Sequence, residues 1–135
     1  MNELCGTAVL SRHPRAAAEA RVVLKAVAPG DHSGSDTAEL LLSEVVGNAV
    51  RYATGEEIQV AVGFDEGTGV ITGAVFDAEP GLGGGVRSCH VTAAEDAGLE
   101  TGRGLDLLDM LAEAWGVATV GSQGKWVWFQ VPAAA

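Results

Sequence analysis

The chain has 135 residues, with 47% hydrophobic and 19% charged residues, enough for one domain with its own core and too apolar for wholesale disorder. Its net charge of −10 excludes a protein that coats DNA or RNA or docks on anionic lipid, since both need clustered Lys and Arg. A small nucleotide site stays open, because a local constellation can outweigh the global field. The two cysteines, Cys5 and Cys89, make no disulfide framework, and neither a signal-like start nor an apolar run of about 20 residues is visible, so a reducing, cytoplasmic setting is expected.

Residues 3–10 form a short, mostly apolar segment that reads as an edge strand. His13-Pro14-Arg15 opens an Ala-rich run to Ala28, a helix by propensity, with Pro suited to the first turn. Pro29-Gly30 stops it, and Ser35 or Asp36 is placed to cap the next helix, with Glu39 following. There Leu41, Leu42, Val45, Val46, Ala49 and Val50 recur at three- and four-residue spacing, the strongest helical period in the chain, ending about Ala53.

Ile58, Val60, Val62 and Phe64 alternate with Gln59, Ala61 and Gly63, the period of a strand. Asp65 to Gly69 is a hairpin loop, and Val70 to Phe76 a second strand ending at Asp77. From Ala78 to Thr101 no period survives and Gly81, Gly83, Gly84 and Gly85 cluster; such a long loop in a small domain is usually functional or disordered. Gly102-Arg103-Gly104 leads into a third helix carrying Leu105, Leu107, Leu108, Leu111, Ala112 and Trp115, which Gly116 breaks. Val117 to Val120 and Trp126 to Val131 flank a last hairpin. Hairpins with segregated helices predict an α+β fold, a two-layer sandwich with a mixed, mainly antiparallel sheet covered by helices on one face, in a single domain over 1–135.

Glu44 and Asn48 are four apart and share one face of the second helix, with Arg51 a turn later. A carboxamide oxygen is a hard ligand suited to Mg²⁺, and a carboxylate can orient or deprotonate a nucleophile. Taken alone, the pair reads first as a solvated helix face, since such pairs are common on helix surfaces. Asp77, at a strand end, can accept from the exocyclic amine of a base, or simply initiate a turn. Gly102-Arg103-Gly104 before a helix can hold phosphate on backbone amides, or be an ordinary helix entry. No four-ligand zinc spacing, Walker loop or Gly-x-Ser-x-Gly elbow is present, and Lys125 sits in a hairpin context foreign to a phosphate loop. Trp115, Trp126 and Trp128 read as packing residues.

The order of these segments is more specific than any one of them. Leu41-Leu42-Ser43-Glu44-Val45-Val46-Gly47-Asn48-Ala49-Val50-Arg51-Tyr52-Ala53 resembles the N box of the histidine-kinase-like ATPases. Val75-Phe76-Asp77-Ala78-Glu79-Pro80-Gly81 resembles their first glycine box, and Gly102-Arg103-Gly104-Leu105 the second. Gly124-Lys125-Trp126-Val127-Trp128-Phe129 and the Ala20-Arg21 pair are similar to small stand-alone members related to anti-sigma-factor serine kinases. Glu79 departs from the pattern, standing where the first box normally has its first Gly.

The resemblance implies a bound ATP with Mg²⁺. It implies that Asn48 holds the metal, that Glu44 is the catalytic base or orienter of the attacking hydroxyl, and that Asp77 accepts from the adenine amine. Gly81 belongs to the first box, the loop of about 81–101 would be the ATP lid, and Gly102, Arg103, Gly104 and Leu105 would contact phosphate. The implied function is an anti-sigma factor acting as serine/threonine kinase on an antagonist protein. Its partners would be a sigma factor, the antagonist, or both, with no direct nucleic acid and no membrane; members of the family often form homodimers. The alternative is a non-catalytic protein-interaction module of the same fold, with weak or lost ATP binding.

Overall fold

The Ala-rich and N-box segments form the two long helices that the periodicity predicts. In the computed structural model, which describes residues 3–28, 34–78, 86–87 and 105–132, α1 runs Ala16–Val27 and α2 Ser35–Tyr52. Helix α1 starts two residues beyond Pro14, after a turn in which the Ala16 amide donates to the His13 carbonyl at 2.8 Å. The expected caps of α2 are not used. Gly34 takes the N-cap position with no side-chain cap bond, and Ser35 is already helical. Asp36 lies in the first turn, where the helix dipole favours a carboxylate.

The strands are β1 (Glu3–Ser11), β2 (Glu57–Asp65), β3 (Val70–Asp77), the two-residue β4 (Val86–Arg87), β5 (Ala114–Val120) and β6 (Gly124–Val131), with a short α3 (Leu105–Leu111) before β5. They form one sheet in the order β1-β2-β3-β6-β5-β4, and every pairing is antiparallel. This is the α+β sandwich expected, with helices on one face. Along β2 and β3 alternate residues are buried, which places Ile58, Val60, Val62, Ile71 and Val75 against α1 and α2.

One boundary differs from the sequence reading. Trp115 was expected to close the third helix, yet α3 stops at Leu111 and Trp115 lies in β5 opposite Phe129. Leu108, Leu111, Ala112 and Trp115 keep a helical spacing, but the Glu113 amide donates to the Gln130 carbonyl at 2.8 Å. Pairing with β6 overrides the local period. Trp115 and Phe129, each 1% exposed, are the largest side chains of the core. Trp126 and Trp128 point to the opposite, half-exposed face, where Trp126 packs on Phe76 with ring centroids 5.3 Å apart.

Two glycines make room for this packing. A Cβ on Gly73 would run into the Phe129 ring, and one on Gly6 would come within 2.7 Å of Val27 Cγ2. The absence of side chains at these two places lets the core ring lie over β3 and lets α1 sit down on β1.

Candidate functional site

Helix α2 buries Leu41, Leu42, Val45, Val46 and Ala49 and leaves Glu44, Gly47 and Asn48 half-buried on its flank. A helical repeat of 3.6 residues stacks Glu44 over Asn48. The half-buried setting, beside the core, suits polar groups that must meet a ligand. Arg51 extends the same stripe. Its Nη2 donates to Asn48 Oδ1 at 2.9 Å, and its guanidinium lies 5.7 Å from the centre of the Tyr52 ring. A Cβ on Gly47 would stand 3.4 Å from Arg51 Nη1, ordinary van der Waals contact, so the guanidinium does not depend on a glycine there.

The end of α2 is anchored to the end of β3. Thr54 Oγ1 donates to the Ala78 carbonyl at 3.3 Å, next to Asp77. Arg12, from the end of β1, fixes the same exit from the other side: its Nη1 donates to the Val50 carbonyl and its Nε to the Gly55 carbonyl, each at 2.6 Å. A cation at a helix C-terminus answers both the unpaired carbonyls and the helix dipole. Further up, Arg21 of α1 donates to Ser43 Oγ at 2.9 Å, which locks α1 to α2 beside Glu44. The fold therefore brings the end of the helix bearing Glu44 and Asn48 to the strand end bearing Asp77.

Asp77 is 5% exposed and ion-paired with Lys125, Nζ to Oδ1 at 2.8 Å. The two are direct register partners on β3 and β6. Gly124, just before Lys125, permits this closeness, because a Cβ there would fall on the Asp77 carbonyl oxygen. Sequence reasoning did not place Lys125 beside Asp77. Its signal was there only in pairing: it lies opposite Asp77 once β6 is aligned with β3, and the two are 48 residues apart.

Of the other expected site residues, Gly81, Gly102, Arg103 and Gly104 lie outside the described residues, as do Glu79 and the segment 81–101. Leu105 is the first residue of α3.

The donor set fits a nucleotide with a metal. Among the described residues no three His, Cys, Asp or Glu gather into a cation cage. Mg²⁺ keeps several waters and is commonly held by one or two protein oxygens together with phosphates. The Asn48 carboxamide suits a cation that arrives with phosphate, and the buried Asp77 carboxylate suits the exocyclic amine of a base.

No helix among the described residues is long and apolar enough to cross a membrane. No curated protein matches the chain in sequence comparison. The family model described as histidine kinase-like ATPase domain matches residues 10–131. That span includes the helix with Glu44 and Asn48, the strand end with Asp77 and the strand with Lys125. The chain therefore belongs to the histidine kinase-like ATPase domain family, whose members bind ATP, typically with Mg²⁺.

Proposed function

We propose that this protein binds ATP with Mg²⁺ and acts in the cytoplasm as an anti-sigma factor and serine/threonine kinase of an antagonist protein. The observation that supports it is the convergence of a helix end and a strand end. The α2 exit below Glu44 and Asn48 is bonded through Thr54 to Ala78, beside the buried Asp77. A base held at Asp77 would then extend its phosphates towards the flank of α2.

Each residue has a role that its chemistry allows. Asp77 accepts from the base amine. Asn48 offers its carboxamide oxygen to the metal, and Mg²⁺ when bound neutralises charge on the phosphates. Glu44, one turn away, aligns a serine hydroxyl of the partner and receives its proton. In that step the bond from the serine oxygen to the γ-phosphorus forms, the bond from that phosphorus to the bridging oxygen breaks, and ADP leaves. Gly81, Gly102, Arg103, Gly104 and Leu105 are proposed to line the phosphate side, with the segment 81–101 as a lid. The partners proposed are a sigma factor, its antagonist, or both, and the active form is proposed as a homodimer.

A second reading, a non-catalytic interaction module, is favoured by one observation. Arg51 already occupies Asn48 Oδ1, the oxygen that the metal would need. Transfer of labelled phosphate from ATP to candidate sigma factors and antagonists, run beside a titration of ATP with Mg²⁺, separates the two. Binding with transfer supports the kinase. Binding without transfer to any candidate, or no binding at all, supports the module.

A further inference from the structure

A buried ion pair is a poor stability device, because removing two charges from water costs about as much as their attraction returns. Asp77 and Lys125 are such a pair, with side chains 7% and 10% exposed. Strands β3 and β6 do not need it for alignment, since the register from Ile71↔Val131 to Phe76↔Trp126 is already set by six other pairs, among them Thr72 and Gln130, whose side chains are hydrogen-bonded. Gly124 is spent on the same place, allowing the backbone of β6 to close on the Asp77 carbonyl. A charge pair kept at such cost at a strand end, in a chain with an ATP-binding fold, points to a ligand that uses both charges.

We infer that Lys125 is a base-discriminating residue, and that it and Asp77 together read one edge of the nucleobase. The carboxylate accepts from a base N–H while the ammonium, with three donors, donates to the adjacent ring acceptor. Adenine presents such neighbours in its 6-amino group and N1. An aspartate alone recognises only the amine; the pair also requires an acceptor beside it. The inference rests on the nucleotide reading above and adds a second contact to it.

The test compares ATP with 1-deaza-ATP, which keeps the 6-amino group but carries C–H in place of N1. Isothermal titration of the wild-type chain should show ATP bound about tenfold tighter or more, the scale of a hydrogen bond from a charged donor. In Lys125→Met the ratio should fall to near one. General damage to the fold weakens both ligands alike and leaves the ratio standing, so the ratio isolates the contact. If Lys125→Met fails to fold around an orphaned carboxylate, the double variant Asp77→Asn, Lys125→Met removes both charges and should also show a ratio near one. Equal affinities in the wild type overturn the role of Lys125 while leaving ATP binding intact. A ratio unchanged in a folded variant does the same. A wild-type chain that binds neither nucleotide overturns the nucleotide reading and this inference together.

Discussion

Arg51 donates to the Asn48 carboxamide oxygen at 2.9 Å, so the only side-chain oxygen that the N-box asparagine can offer a cation is already in use. A metal that binds there must share that oxygen with a like-charged guanidinium or displace it. The bond is exposed, and such bonds contribute only about 0.5–1.5 kcal/mol net, so the displacement is easily met by a cation carrying phosphate ligands.

Arg51→Met should therefore lower the Mg²⁺ concentration that half-saturates ATP binding. About a fivefold fall corresponds to the middle of that range. Titrating Mg²⁺ at fixed ATP measures it. An unchanged requirement would mean that the guanidinium does not compete for Asn48.

Asn48→Ala tests the ligand itself. The fold should be kept and the melting temperature should not fall by more than a degree or two, because Ala has the better helix propensity by up to about 0.7 kcal/mol and the lost bond is exposed. The stimulation of ATP affinity by Mg²⁺ should disappear. Equal stimulation in both proteins, measured by isothermal titration, would remove Asn48 from the metal site.

Glu44→Gln keeps size and hydrogen bonding but deletes the proton acceptor. ATP binding should stay near normal, while transfer to a partner serine should drop by about 10²–10⁴-fold, the usual contribution of a positioned base. Single-turnover assays with a phosphorylatable partner supply the measurement. A variant that transfers as fast as the wild type would leave the kinase standing without Glu44 as its catalytic residue.

Gly73→Ala probes the core directly. The added methyl meets the Phe129 ring, and overpacking of this kind costs about 1–3 kcal/mol. The urea midpoint should shift down with little change in slope, since the surface exposed on unfolding is similar. A midpoint equal to that of the wild type would show that the ring yields freely.

The elements with strong local periods were legible from sequence. Leu41 to Val50 at helical spacing and Ile58 to Phe64 in alternation each dictate one structure, because a single face must be buried. Glu44 and Asn48 could be placed on one helix face for the same reason. What failed was non-local. Trp115 continued a helical spacing, and only the Glu113 bond to Gln130 shows that the chain had already joined β6. Lys125 looked like a hairpin residue because nothing near it in sequence names Asp77 as its partner. The α2 caps failed for a subtler reason: Ser35 and Asp36 both suit an N-cap, yet Gly34 took the position.

The pairing of β3 with β6 also governs when the site can exist. Asp77 meets Lys125 across 48 residues, and Lys125 belongs to the last strand. During synthesis the N-box helix and the first hairpin leave the ribosome well before β6 does, and domains of this kind close their long-range pairings late. A nascent or C-terminally clipped chain would thus carry Glu44 and Asn48 while lacking the ammonium that partners Asp77.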